Sequence, residues 1–230
     1  MPSKSCVLLR LRLLGCVAFG HVVIAQVNPY QAAREADQKE NYAKAEALYS
    51  EAIDANLRVE DSLYHRGEDR YWLKNYSGAK SDMFRLRNSK VYGSGSFLMI
   101  GVCEGKLGHP AARLAAFREG LRLLPTLPEF ANSVAWDFAT SRDAATRNGR
   151  EAVRLARRAC AATSFHNAGY FDTLAAAYAE VGDFPNAIKS EQQALALFSS
   201  QDREHLPGAK KRLALYENKQ AYRQDLHGND

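Results

Sequence analysis

From residue 26 to residue 200 the apolar positions fall three and four apart, the period of a helix that buries one face, and strand-type alternation is absent. Turn signals break the pattern at Asn41-Tyr42, Asn75-Tyr76, Gly108-His109-Pro110, Asn148-Gly149 and Gly182-Asp183-Phe184. After each turn comes a triplet of contact residues: Ala45, Tyr49, Ala52, then 34 residues on Ala79, Met83, Leu86, and 34 further Arg113, Phe117, Gly120. A step of 39 leads to Ala152, Ala156, Ala159 and one of 35 to Ala187, Glu191, Ala194. Ahead of the turns lie Ala33, Gly67, Gly101, Thr140 and Ala175, one small residue for each preceding helix. The repeating unit is helix, short turn, helix, and internal repetition at this period predicts stacked units.

Small residues at the crossings let helices approach closely while Tyr, Phe and Trp fill the grooves. A lone hairpin cannot bury its apolar face, so neighbours stack and the ends need covers. The pattern predicts an all-α chain, an α-solenoid of about five hairpins over units near 26–59, 60–93, 94–132, 133–167 and 168–200, with a capping helix and tail in 201–230. Residues 207–222, opening with Pro207 and carrying Leu213, Leu215 and Tyr216 on one face, are the expected cap. The longer step of 39 is assigned to an elbow around Pro125 and Pro128, and Trp136 is expected as a large buried ring.

These residues resemble the tetratricopeptide repeat. The third unit carries the likeness through Phe97, Ile100-Gly101, Gly108, Phe117, Gly120 and Pro125, the fifth through Phe171, Leu174-Ala175, Tyr178, Gly182-Asp183-Phe184, Ala187 and Ala194. The second reads Leu63, Arg66-Gly67, Tyr76, Ala79, Asp82 and Leu86, while Arg113 stands where a small residue is usual. The stretch from Trp136 to Tyr222 is also similar to a repeat pair common at the carboxy end of bacterial proteins of this family.

The amino-terminal segment has a basic start at Lys4, Arg10 and Arg12, an apolar stretch from Leu13 to Ala25 and small residues before Gln26. That order is expected of a secretory signal occupying residues 1–25. Thirteen apolar residues are fewer than the roughly 20 that cross a bilayer. The expectation is export, periplasmic or secreted. Leu13-Leu14-Gly15-Cys16 resembles the box before the lipidated cysteine of bacterial lipoproteins, so membrane attachment would follow only from lipidation of Cys16 or an uncleaved signal. The net charge of +5 shrinks with the signal removed, to 28 basic against 26 acidic residues. Such a balance offers no footprint for nucleic acid.

Cys103 and Cys160 fall on different hairpins and are expected as separate packed thiols. No phosphate loop, zinc-binding H-E-x-x-H pair or G-x-S-x-G elbow occurs, and no cofactor or metal is expected. The run Gly93-Ser94-Gly95-Ser96 reads as a turn between units, Ser164, His166 and Asp172 as loop and cap residues, and His65, His109, His166, His205 and His227 as too scattered for a ligand set.

The resemblance implies a concave groove lined by the first helix of each hairpin, which takes peptide segments of other proteins without catalysis. Carried over, the groove residues are Tyr30, Arg34 and Asp37; Asp61, Tyr64, Glu68 and Tyr71; Leu98, Val102 and Lys106; Val134, Asp137 and Ser141; and Asp172, Ala176 and Glu180. Six acids against Arg34 and Lys106 make this set acidic, so the expected partner is a protein or peptide carrying Lys or Arg, anchored on Tyr64 and Tyr71. A structural subunit of an envelope assembly and an enzyme of unrecognised type are the alternatives.

Overall fold

Eleven helices order the residues described by the computed structural model, 28–198 and 204–224, and among them there is no strand. They are α1 (Pro29–Asp37), α2 (Tyr42–Asp54), α3 (Val59–Trp72), α4 (Tyr76–Leu86), α5 (Gly93–Lys106) and α6 (Pro110–Leu123). The remainder are α7 (Pro128–Thr140), α8 (Gly149–Ala162), α9 (Ala168–Glu180), α10 (Phe184–Leu197) and α11 (Leu206–Glu217). Each helix packs on its sequential neighbour, so five hairpins form a row that α11 closes against α10 and α9. The expected secretory segment, Cys6 and Cys16 lie outside the described residues, within which no helix is long and apolar enough to cross a membrane.

One turn recurs inside the hairpins. Glu40, Lys74, Gly108 and Gly182 take left-handed φ values of 56°, 62°, 78° and 80°. The following amide then reaches back five residues, Asn41 to Ala36, Asn75 to Arg70, His109 to Glu104 and Asp183 to Tyr178. That is the Schellman way of satisfying the last carbonyls of a helix. Asn41, Asn75 and Asp183 then accept from Lys44, Gly78 and Asn186, capping the second helix.

Hairpins close by setting a small residue on the first helix against a large one sixteen positions later, Ala33 against Tyr49, Gly67 against Met83 and Gly101 against Phe117. A Cβ at Gly67 would lie 2.5 Å from Met83 Cε, and one at Gly101 would lie 2.2 Å from Phe117 Cε1. Between hairpins, Gly120 of α6 receives Phe130 of α7, whose ring would be 2.1 Å from a Cβ there. Ala187 is fully buried, packed with Ala175, Ala179 and Tyr216 from the flanking helices. Ala187→Leu is therefore expected to lose about 1–3 kcal/mol by overpacking, measured by urea denaturation.

Four sequence expectations are corrected. The link between α6 and α7 is only residues 124–127, and the extra residues of the longer step lie in the turn 141–148 between α7 and α8. Ala135, fully buried, therefore takes the crossing position assigned to Thr140, which instead bonds its own helix at Trp136 O. Gly93-Ser94-Gly95-Ser96 is the first turn of α5 rather than a flexible link, and its glycines serve close approach: a Cβ on Gly95 would meet the Tyr64 ring at 3.1 Å. Trp136 is half-buried at the surface of α7, not enclosed in the core.

Candidate functional site

The first helices share an inner face, and its best-formed part lies between α7, α9 and α11. There Asn132, Ser133 and Trp136 of α7 face Asp172 and Thr173 of α9 and Arg212 of α11 across a cavity of about 560 Å³. His166, Asn167, Phe198, His205 and Arg113 also line it. Asn167 is committed to capping α9 through Tyr170 N at 3.0 Å. Asn132 differs: its Oδ1 is buried and has no hydrogen-bond partner among the described residues. A shielded acceptor of that kind takes a donor from water or from a ligand in the cavity.

Five of the six acids of the expected groove sit beside an arginine, and the sixth, Glu68, bonds His65. Asp37 lies 3.4 Å from Arg34, Glu68 3.0 Å from His65, and Asp61 bonds both Arg58 and Tyr92. Asp137 is 3.0 Å from Arg113, Asp172 is 2.6 Å from Arg212, and Glu180 is held at 3.1 Å by Arg147 and 2.7 Å by Arg223. The inner face is thus a surface of paired charges; five of these arginines were not placed there by sequence reasoning. Tyr64 stacks on Tyr92 with centroids 4.7 Å apart and Tyr71 packs on Trp72 and Tyr76, while Leu98 and Val102 are half-buried and Lys106 is exposed.

On α7 the register differs from expectation. Val134, Asp137 and Ser141 are buried at 1%, 3% and 5% exposure, and none of them lines that cavity. Because the added residues fall after α7, a step of 34 from Leu98 and Val102 lands on Asn132 and Trp136, which do face the cavity. That step was the signal available for them. Ala176 is buried on α9, and Asp172 lines the cavity as expected.

Beneath the cavity floor Glu191 is fully buried at the crossing position that Tyr49, Met83 and Phe117 hold in other hairpins. Burial, then the neighbouring Asp172, push its carboxyl up to about 10. Burial also raises Asp172, against the pull of Arg212 and the Glu191 hydrogen bond. The cluster is therefore a guanidinium beside two carboxyls, faced by Tyr216 and His205. Glu191 stays protonated in the fold at neutral pH, whereas in the unfolded chain it ionises above about 4.3. Its protonated state therefore lowers stability progressively as pH rises from about 4.3 toward 10. Glu191→Gln keeps a neutral donor at every pH. Its Tm relative to the native chain is expected to climb between about pH 5 and pH 9; a pH-independent difference in thermal unfolding would contradict the assignment.

Residues after α11 complete the inner face. Tyr222, 6% exposed, packs on Trp136 at 5.8 Å, and Arg223 pairs with Glu180 and reaches Ala139 O at 3.3 Å. Gln224 accepts from Trp136 Nε1 at 2.9 Å, donates to Asp137 Oδ1 at 3.3 Å, and its amide bonds Thr140 O at 3.0 Å. Nothing in the repeat pattern announced these contacts.

Other chemistry is not assembled. Cys103 and Cys160 are separate buried thiols, each pushed up to about 11 by burial. Ser164 sits in a left-handed turn, and Asp172 is bound to Arg212 rather than to His166. Among the described residues no group of three His, Cys, Asp or Glu side chains is placed to hold a metal ion.

No protein-family model matches the chain, and no curated protein matches it by sequence. Solved structures are similar to it. One is a thermophilic TPR protein of Thermus thermophilus, 16% identical, covering 80% of this chain and 98% of that one with a TM-score of 0.57. YrrB, described as a TPR protein with an unusual peptide-binding site, is 17% identical over 80% of this chain and 90% of that one, also at 0.57. The carboxy-terminal part of a TPR repeat-containing protein from Cytophaga hutchinsonii is 17% identical over 83% and 77%, at 0.58.

Proposed function

We propose, for a chain that has the tetratricopeptide-repeat fold, that it holds a segment of another protein on the inner face of its first helices and catalyses no reaction. The observation that carries this reading is the cavity between α7, α9 and α11, lined together by Asn132, with its unmatched Oδ1, Ser133 and Trp136. Amide and hydroxyl groups flanking an aromatic ring suit a peptide, which offers a backbone donor and acceptor at every residue. YrrB shares the fold and, by its description, has a peptide site.

The partner segment carries Lys or Arg in this reading. The acids of the inner face are paired, so a basic ligand exchanges with resident arginines instead of entering an open negative field, and specificity rests on geometry more than on charge. Panning a displayed library of random peptides against the purified chain supplies the probe. Asn132→Ala with Ser133→Ala removes two polar contacts worth about 1 kcal/mol each, so binding of a selected peptide is expected to weaken about thirtyfold. Alanine preserves the helix. Unchanged affinity in the double variant would remove the face from the account.

Residues 1–25 serve in this reading as the export signal, with the partner met in the periplasm or outside the cell. Mass spectrometry of the mature amino terminus tests it: Gln26 supports soluble export, acylated Cys16 gives a lipoprotein, and Met1 overturns cleavage.

A further inference from the structure

At the end of α11 the chain repeats the turn found inside the hairpins. Lys219 adopts φ of 55° and the Gln220 amide returns to Leu215 O at 2.9 Å, as happens at Asn41, Asn75 and Asp183. Elsewhere that turn delivers Asn or Asp to cap a second helix. Here it delivers Gln220, whose longer side chain is a poor cap, and residues 221–224 are not helical. Four non-helical residues reach about 13 Å, enough to pass a neighbouring helix at the usual spacing of about 8–10 Å.

They link α11 to side chains and carbonyls of α7 and α9, two successive first helices of the kind an extended ligand would contact. The contacts have the form of recognition. Tyr222 gives a ring to Trp136, Arg223 gives a cation to Glu180, and Gln224 gives an amide to Trp136 Nε1 and Asp137 together with a backbone donor to Thr140. Glu180 and Asp137 are two of the acids expected to meet a basic peptide, and a basic residue of the chain's own tail does meet Glu180.

We propose that Tyr222-Arg223-Gln224 is an internal ligand that occupies one end of the peptide face. Partner segments that use this end carry an aromatic residue, a cation and an amide in that order and must displace the tail. This rests on the reading of the inner face as a peptide site, and it adds the ligand's chemistry and a competition built into the chain. The cavity at Asn132 and Ser133 adjoins the tail through Trp136, so a longer segment would engage both.

The test uses a fluorescent, carboxy-amidated peptide of residues 218–224 as probe, titrated by polarisation against the native full chain and against the full chain with Arg223→Ala and Gln224→Ala. The variant is expected to bind the probe at least about tenfold more tightly than the native chain, a shift of about 1.4 kcal/mol. A probe carrying Arg223→Glu should fail to compete. Gln224→Ala alone leaves Tyr222 and Arg223 in place and provides the same comparison with a smaller shift if the double variant does not fold. Equal saturable binding to native and variant chains would overturn the competition while leaving the face as a peptide site. Absence of saturable binding to the folded variant would overturn the peptide reading of this end as well.

Discussion

Arg212→Met is expected to cost about 3–5 kcal/mol, because it strands a buried negative charge rather than merely losing a contact. Arg212 Nε lies 2.6 Å from Asp172 and 3.7 Å from Glu191, and its guanidinium also rests 5.5 Å from the rings of both Trp136 and Tyr222. Methionine keeps the length and apolar body but leaves the Asp172–Glu191 pair without a cation. The pair then relaxes by taking up a second proton, so the loss should shrink on acidification from about pH 8 to pH 4. Urea denaturation at both pH values measures it. A loss below about 1 kcal/mol at pH 8 would mean that Arg212 does not hold the cluster.

Phe130→Ala should cost a similar amount, about 3–5 kcal/mol, for a different reason. The ring is fully buried and fills the space that Gly120 leaves open, seating α7 on α6. Stability in a stacked array depends on each interface between neighbours, so this change weakens the join between the third and fourth hairpins as well as opening a cavity. The expected calorimetric signature is a lowered and broadened transition that separates the two halves. A single sharp transition with unchanged Tm would contradict the placement of Phe130.

Much of the fold was legible because the repeat writes two spacings into the chain. The pairs Ala33–Tyr49, Gly67–Met83 and Gly101–Phe117 each stand sixteen apart, and the turn residues Glu40, Lys74 and Gly108 stand 34 apart. Thr140 misled the register of α7 because it too lies sixteen before Ala156, and two prolines near residue 125 made a plausible home for residues that belong to the turn 141–148. The inner-face set looked open and acidic because, Asp37 with Arg34 apart, its acids were counted without the side chains that bond them. One of those pairs, Arg113 with Asp137, follows a third spacing that Glu46 with Arg70 and Lys80 with Glu104 share: all are 24 apart, the reach from a second helix to the next first helix. Arg212 and Asp172 are forty apart, and Gln224 and Asp137 are 87 apart. No local period encodes those contacts, so the capping helix was legible from its apolar face but its ties to α9 and the contacts of residues 222–224 were not.

Site-specific photo-crosslinking of a library-selected peptide is the most direct test of the inner face as the holding surface. With benzoylphenylalanine in place of Ser133, which lines the cavity, the bound peptide is expected to be captured in high yield. With the same group in place of Arg157, exposed on the second helix α8, it is expected to remain uncaptured. Capture at Arg157 and not at Ser133 would contradict the account.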